Sequence, residues 1–411
     1  MSAYPCRFCG APLALTFCDL GMSPLSNAFL RAEQLQQSEK FYPLHSYVCE
    51  RCWLVQLPAH ETPDHIFNQD YAYFSSYSDS WLAHSKAYCE RMIARFGFGA
   101  ESQVVEIASN DGYLLQYFKA RGVPVLGVEP AANCAAAAEA RGIPTLVRFF
   151  GVQTATELRD SGRAADLLLG NNVLAHVPDL NDFVAGLKLA LKRGGVVTME
   201  FPHLLQLMQH NQFDTIYHEH YSYLSLLAVR GIFARHGLAL FDVEELPTHG
   251  GSLRIYARHT EYGAPAAPPV EALLRRERQA GLDTPAAYER FEAQVREARY
   301  KLLEFLIGAR REGKRVWGYG APAKGNTLLN YCGIRGDLVE ATVDRSPHKQ
   351  GLFLPGTHIP IHAPARLAEA RPDYVLILPW NLKEEIVQQA AHIRDWGGRF
   401  IVPIPSVQVL A

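Results

Sequence analysis

Short aliphatic runs alternate with helix-length amphipathic stretches in two separate parts of this chain. That rhythm admits few folds other than parallel strands joined by crossover helices. In the first part, strands are expected at 103–107, 125–128, 167–169 and 196–200, with helices over 113–121, 132–141 and 180–191 between them. The stretch Gly250-Gly251-Ser252-Leu253-Arg254-Ile255-Tyr256-Ala257 reads as a closing strand. A Pro/Ala-rich passage from Gly263 to Pro269 then leads into a highly charged segment, 271–311, read as a connecting helix with a solvated face. Alternation restarts at Arg315-Val316-Trp317-Gly318-Tyr319-Gly320, continues through 338–343 and ends in strands at 374–378 and 400–402. The two α/β regions share an architecture but no sequence repeat.

Residues 1–70 are written differently, rich in Cys, Pro and aromatic residues. Cys6-x-x-Cys9 and Cys49-x-x-Cys52 are two knuckles, each able to bend two thiolates toward one ion. Four sulfurs complete a tetrahedral zinc shell and leave no open position, so the expected zinc is structural. Cys18, between the knuckles, is the weaker candidate ligand, and Cys89, Cys134 and Cys332 are scattered singly as core residues. The chain therefore divides into a zinc module over 1–70, an α/β domain over 71–260 and a second α/β domain over 261–411.

With 411 residues and 48% hydrophobic content, the chain can bury several cores. A formal charge of -2 provides no basic field for nucleic acid. No run of about 18 apolar residues suits a membrane span. The stretch Met1 to Gly10 lacks the charged and apolar regions of a signal peptide. The expectation is a cytoplasmic monomer that uses neither nucleic acid nor membrane.

The run Val104-Val105-Glu106-Ile107-Ala108-Ser109-Asn110-Asp111-Gly112 ends a strand in a tight turn before a helix, where backbone N–H groups favour a nucleotide-like ligand. Glu129, followed by Pro130, ends the next strand, where a carboxylate can take both ribose hydroxyls. Because G-x-G-x-x-G is absent, a ligand without a phosphate cradle fits better, and S-adenosylmethionine is such a ligand. Its expected contacts are Glu106, Ala108, Asn110, Asp111, Gly112, Glu129, Pro130, Asn171 and Asn172. The last two open Asn171-Asn172-Val173-Leu174-Ala175-His176, which places His176 at the same carboxyl edge of the sheet.

The densest chemistry lies in Tyr217-His218-Glu219-His220-Tyr221. Each of these groups donates, accepts or holds a proton, and burying them together costs several kcal/mol, roughly, unless they pair. The histidines sit two apart, unlike H-E-x-x-H, so the run is not a zinc-protease helix. If the run is extended, alternation separates His218 from Tyr217 and Glu219.

The ordered set CxxC…CxxC, E-I-A-S-N-D-G, N-N-V-L-A-H, F-D-T-I-Y-H-E-H-Y-S-Y, H-G-G-S-L-R and Y-G-A-P-A-K-G-N-T resembles the zinc-containing sugar C-methyltransferases along nearly the whole chain. Within that family it resembles the C-3′-methyltransferases that act on dTDP-linked 4-keto-deoxysugars. The resemblance implies an N-terminal zinc module, a central Rossmann-like domain of the class I methyltransferase type holding S-adenosylmethionine, and a C-terminal Rossmann-like domain that helps hold the nucleotide sugar. Carried over position by position, its active site is Tyr71, His176, Tyr217, Glu219 and His220, with Tyr73 and Tyr77 close to Tyr71.

In that reading His220 removes the C-3 proton, which an adjacent ketone makes acidic, and Glu219 orients His220 or stabilises its imidazolium. Tyr217 and His176 donate to the enolate oxygen, and Tyr71 seals or orients the pocket. The Gly-rich turn Tyr319-Gly320-Ala321-Pro322-Ala323-Lys324-Gly325-Asn326-Thr327 meets the diphosphate through Lys324 and Asn326. Asp344 to Lys349, including His348, line the base or ribose. His249-Gly250-Gly251-Ser252 and Trp380-Asn381 border the cleft. Rival readings are C-5 methylation, O- or N-methylation of a nucleotide sugar, or a zinc-module protein that binds a macromolecule.

Overall fold

The computed structural model describes residues 4–61, 74–263 and 265–410. The N-terminal part forms β1 (Leu15–Ser23), β2 (Tyr42–Val48) and β3 (Val55–Gln56), paired antiparallel in that order. The middle of the chain contributes β4 (Val104–Ile107), β5 (Val125–Val128), β6 (Thr145–Leu146), β7 (Ala165–Asn171) and β8 (Leu191–Pro202), all parallel in one sheet. Leu167, Leu168 and Leu169 are each 0% exposed, so β7 is covered on both faces, which explains its continuous apolar run. The covering helices follow from local signals. In Leu180–Ala190, Leu180, Phe183, Val184 and Leu187 form one buried stripe, and Asp179 caps the start by accepting from the Asp182 N–H.

After β9 (Ser222–Tyr223) come β10 (Leu238–Leu246) and β11 (Ser252–His259), which complete a seven-stranded sheet in the order β10-β11-β8-β7-β4-β5-β6. The strand expected near Gly250 is therefore β11, but it is interior and antiparallel, between β8 and the outer β10. The chain leaves β4 in one direction to β5 and β6, then returns to the other side for β7 and β8. This reversal opens a crevice at the carboxyl ends of β4 and β7. Two motifs far apart in sequence, 108–112 and 171–176, meet there.

The charged segment is two helices, Pro268–Gln279 and Pro285–Arg311. Their face is not wholly solvated, because Glu277 is 0% exposed. It accepts from the N–H groups of Leu226 and Leu227 at 2.7 and 2.8 Å and pairs with His203 Nε2 at 2.7 Å. A carboxylate from the connecting helix thus caps the helix Leu226–Arg235. Beyond it, β12 (Val316–Tyr319), β13 (Thr342–Val343), β14 (Ile361–His362), β15 (Tyr374–Ile377), β16 (Arg399–Val402) and β17 (Gln408–Leu410) form the second sheet. Its order is β14-β13-β12-β15-β16-β17, parallel except for β17.

The N-terminal module is not a detached bead. Its sheet takes β9 as fourth strand, immediately after Tyr221. Phe17 on β1 stacks on Phe291 of the long connecting helix, with ring centroids 4.7 Å apart. Both rings are fully buried, which stabilises the joint by roughly 1.5–3 kcal/mol per ring. Farther on, Leu30 bridges to Phe353, and Glu39 accepts from the Gly356 N–H at 3.0 Å. No helix among the described residues is long and apolar enough to cross a membrane.

Candidate active site

The two knuckles converge as their spacing predicts. The four sulfurs of Cys6, Cys9, Cys49 and Cys52 lie within 4.8 Å of one another, with Cys6–Cys52 at 3.6 Å and Cys9–Cys49 at 3.4 Å. Tetrahedral zinc with Zn–S bonds of about 2.3 Å needs sulfurs about 3.8 Å apart, so the quartet fits that ion. Cys18 is fully buried and outside the quartet, and burial pushes its thiol up. Inside the first knuckle, Arg7 points away from the sulfurs. Its guanidinium donates to the carbonyls of Pro178, at 2.8 Å, and Leu57, and lies 5.3 Å over the Tyr221 ring.

The β4 turn is built from unusual backbone. Ala108 and Asn110 have φ of 55° and 49°, and Gly112 has 76°, where a Cβ would come within 3.0 Å of Ile143. The Glu129 carboxylate accepts from the Asn110 N–H at 2.9 Å and the Ala131 N–H at 2.8 Å, one per oxygen, which leaves each oxygen a further lone pair for a ribose hydroxyl. Pro130 follows it, half-buried. Beneath the turn, burial pushes the Glu106 carboxyl well above the carboxylate range, beside the Tyr113 hydroxyl.

Asn172 Oδ1 and Ser109 Oγ are buried without hydrogen-bond partners among the described residues, and the Asn171 amide lies beside the Tyr113 hydroxyl. These polar groups fit the adenosine and amino-acid ends of S-adenosylmethionine. The side chains of Asn110 and Asp111, expected to face that cofactor, are engaged elsewhere. Asn110 Oδ1 accepts from the Ser75 N–H at 2.9 Å, and Asp111 takes Ser76 Oγ and, at 3.1 Å, Arg141. They fasten the turn Ser75–Tyr77, while Asp111 Oδ1 is buried without a hydrogen-bond partner among the described residues and is left for a ligand.

The run 217–221 is a tight turn, not an extended strand: the His220 N–H donates to the Tyr217 carbonyl at 2.9 Å. The turn brings its two ends together, with the rings of Tyr217 and His220 only 4.0 Å apart, and sends its buried middle residues, His218 and Glu219, to other partners. His176 completes the group, its ring 4.7 Å from His220. Tyr217, His220 and His176 are half-buried, as cleft-lining groups must be. His218 is buried against the Pro43 carbonyl at 3.3 Å, and Tyr221 donates to the Glu61 carbonyl at 3.2 Å. Both therefore anchor the zinc module.

Glu219 does not orient His220. Its Oε1 accepts from Asn27 Nδ2 at 2.5 Å, and the orienting partner of His220 is the Thr215 carbonyl, 2.8 Å from Nδ1. Neighbouring residues at a turn tip diverge, so a carboxylate adjacent in sequence cannot reach the ring that follows it. Tyr71 lies outside the described residues.

A carbonyl only accepts, so Nδ1 of His220 carries the proton and Nε2 the lone pair whenever the ring is neutral. Burial, followed by the neighbouring His176, pushes the His220 pKa well below its ordinary value. Burial likewise pushes His176 down to about 4 and His249 to about 4. Burial pushes the Glu219 carboxyl up to about 7 against the opposing pull of Asn27 and Lys349.

On the opposite wall, His249 has φ of 54°, and its Nε2 lies 2.9 Å from Asn172 Nδ2. Thr248 donates to Glu200, at 2.9 Å, and holds that turn. Burial pushes Glu200 up, but His84, Arg254 and Thr248 outweigh it and keep its carboxyl at about 2.

The Gly-rich turn of the second sheet is more closed than its sequence suggests. The Ala321 N–H donates to Asp344 at 2.7 Å, Lys349 donates to the Ala321 carbonyl at 2.9 Å, and Ala321 is 0% exposed. Asn326 is 1% exposed, and its amide donates to the Ser26 carbonyl at 2.5 Å. Ala321 is thus corrected from a ligand contact to an internal fastener, with both backbone groups paired, whereas Asn326 is fastened through its N–H alone and keeps Oδ1 buried without a hydrogen-bond partner among the described residues. Gly320, with φ of 89°, turns the chain against Pro379, and Tyr319 is buried with its hydroxyl 3.3 Å from Gln389.

Lys324 is turned into the cleft, donating to Asn381 at 2.8 Å and lying 4.6 Å over the Trp380 ring. Trp380 in turn donates to Asp214 at 2.7 Å. Burial pushes the Asp214 carboxyl up to about 7 despite Lys324. His348 is exposed and stacks 6.5 Å from Phe74. Sequence reasoning missed Asn27, Asp214 and the Thr215 carbonyl. Only Asp214 and Thr215 had a signal, in their place within F-D-T-I-Y-H-E-H.

Three family models match in order: a zinc binding domain over residues 6–67, a methyltransferase domain over 81–243 and a C-methyltransferase C-terminal domain over 247–405. The C-methyltransferase NovU of Streptomyces niveus is 36% identical over 406 residues, covering 99% of this chain and 96% of that protein. Among solved structures, an S-adenosylmethionine-dependent methyltransferase from Clostridium acetobutylicum covers 43% of this chain and 92% of its own, at 11% identity and a TM-score of 0.35. One from Mesorhizobium loti covers 43% and 100%, at 14% identity and 0.34. The chain belongs to the C-methyltransferase family whose members join a zinc-binding module to an S-adenosylmethionine-dependent methyltransferase domain and a dedicated C-terminal domain.

Proposed function

We propose that this enzyme methylates C-3′ of a dTDP-linked 4-keto-deoxysugar, with His220 as the base that makes the carbon nucleophilic. The observation that carries this reading is the hydrogen bond from His220 Nδ1 to the Thr215 carbonyl, which leaves Nε2 a bare lone pair on a neutral ring beside the cleft. A sugar carbon gives up a proton to such a base only when a ketone stands next to it, hence the 4-keto substrate. S-adenosylmethionine, held by the 108–112 turn, Glu129 and Asn171-Asn172, supplies the electrophilic methyl group when bound.

The remaining tasks fall to the chain. Tyr217 and His176 flank His220, and the Tyr217 hydroxyl is the group assigned to donate to the oxygen on which charge develops, since the single N–H of neutral His176 is spent on the Glu219 backbone. Lys324, anchored by Asn381 and Trp380, adds positive charge to the same wall. Lys349 and Asp344 are the residues assigned to the nucleotide end of the substrate. The enzyme acts as a monomer in this reading.

Deuterium washout tests the chemistry directly. Enzyme and a C-3-deuterated dTDP-4-keto-deoxysugar, without S-adenosylmethionine, should lose the label, and His220→Asn should slow that loss by about 10²–10⁴-fold. Retention of deuterium by active wild-type enzyme would sink the C-3 assignment.

A further inference from the structure

We propose that Asn27, supplied by the zinc module and held in place by the C-terminal domain, is a positioning residue for Glu219. The geometry is a relay across three parts of the chain. Asn326, on the first turns of the helix Ala323–Cys332, donates to the Ser26 carbonyl at 2.5 Å, which fixes the backbone next to Asn27. Phe29, two residues beyond, lies 5.3 Å from Lys349 Nζ, and Leu30 bridges to Phe353, so the segment is held on its other side as well. So clamped, Asn27 donates to Glu219 Oε1 at 2.5 Å.

The amide Nδ2 can only donate, so it favours the ionised carboxylate over the acid. Glu219 is 7% exposed, and the side-chain donor the described residues give its carboxylate is Asn27, on Oε1. With one oxygen tied by Asn27, the other is held ready as an acceptor for a sugar hydroxyl at the cleft. The other groups facing Glu219 are Lys349, whose charge also favours the carboxylate, the Tyr221 phenol, and His176, which bonds to the Glu219 backbone. None of them replaces a direct donor to Oε1.

This inference rests on the proposed substrate only for the hydroxyl. The Asn27–Glu219 coupling stands apart from it, and the experiment separates the two. Asn27 is exposed, so Asn27→Ala removes the donor without opening a cavity. The titration midpoint of the Glu219 carboxyl is read in full-length enzyme by ¹³C-carboxyl glutamate NMR, with the signal assigned by its disappearance in Glu219→Gln. The pH profile of kcat/KM is measured on the same proteins with a dTDP-4-keto-deoxysugar.

The expected result in Asn27→Ala is a midpoint higher by about one unit, an acid limb of kcat/KM displaced upward by the same amount, and an unchanged melting temperature and zinc content. Asn326→Ala should move the midpoint in the same direction by less. An unmoved midpoint in Asn27→Ala overturns the inference. A moved midpoint in a background where Glu219→Gln retains wild-type kcat/KM would uphold the coupling while removing the substrate role assigned to Glu219.

Discussion

Tyr217 and His220 meet because three residues of separation across a tight turn close a ring-to-ring distance of 4.0 Å. The same turn sends Glu219 to Asn27. These two facts set the pH behaviour. His220 is pushed well below its ordinary value by burial and by His176, so, with His220 as the proposed base, its protonation should not limit activity near neutrality. Burial raises Glu219 to about 7, and in the proposed role it accepts from substrate only when ionised, so kcat/KM should fall as pH drops through 7. In Glu219→Gln the acid limb near 7 should vanish along with much of the rate, as read from a pH series on a dTDP-4-keto-deoxysugar. A limb that survives this substitution would belong to another group, with Asp214, also raised to about 7, the first to test. The five residue types of the run are legible in sequence, but their division of labour is not. An extended reading makes neighbours alternate, whereas a turn pairs the first residue with the fourth.

Buried parallel strands are continuous apolar runs, and for that reason β4, β5, β7, β12 and β15 are legible within a few residues. β10 is an outer strand of mixed polarity, Leu-Ala-Leu-Phe-Asp-Val-Glu-Glu-Leu, and its role depends on β11 entering between it and β8, which no local pattern announces. The connecting helices show the same limit. Glu277 looks like any other charge in its segment, but its partners lie 74, 51 and 50 residues away, at His203, Leu226 and Leu227. Glu277→Ala would leave two helix-start N–H groups and a fully buried histidine without their acceptor. It should cost about 3 kcal/mol, read as a lower denaturation midpoint. Glu271→Ala, on the half-exposed face of the same helix and paired to Arg230 at 3.6 Å, should cost well under 1 kcal/mol by the same measurement. Equal losses in the two variants would mean that Glu277 is not acting as a cap.

At the scale of the whole molecule, the zinc module is the keystone between the two sheets, and each of its contacts joins residues far apart in sequence. The CxxC spacing makes the metal legible because two knuckles are local objects. It says nothing of Arg7, lodged between the first pair of cysteines with its guanidinium on the Pro178 carbonyl and the Tyr221 ring. Through Arg7 the metal supports both segments that carry the histidines of the proposed site, since Pro178 lies two residues beyond His176 and Tyr221 is next to His220. Loss of zinc frees the knuckle, and Arg7 then loses the backbone that aims it. The crevice between β4 and β7 owes its main walls to strands of the middle sheet, whose pairing does not run through these contacts. Stripping the metal with a chelator should therefore raise hydrogen exchange at 174–178 and 217–223 and abolish turnover, while S-adenosylmethionine affinity by calorimetry stays within a few fold. Arg7→Ala, with its zinc retained, should reproduce the exchange pattern and most of the loss in turnover. If the zinc-free protein kept its protection at 217–223, the module would be a passenger, and Arg7 would not be the route by which the metal reaches the active site.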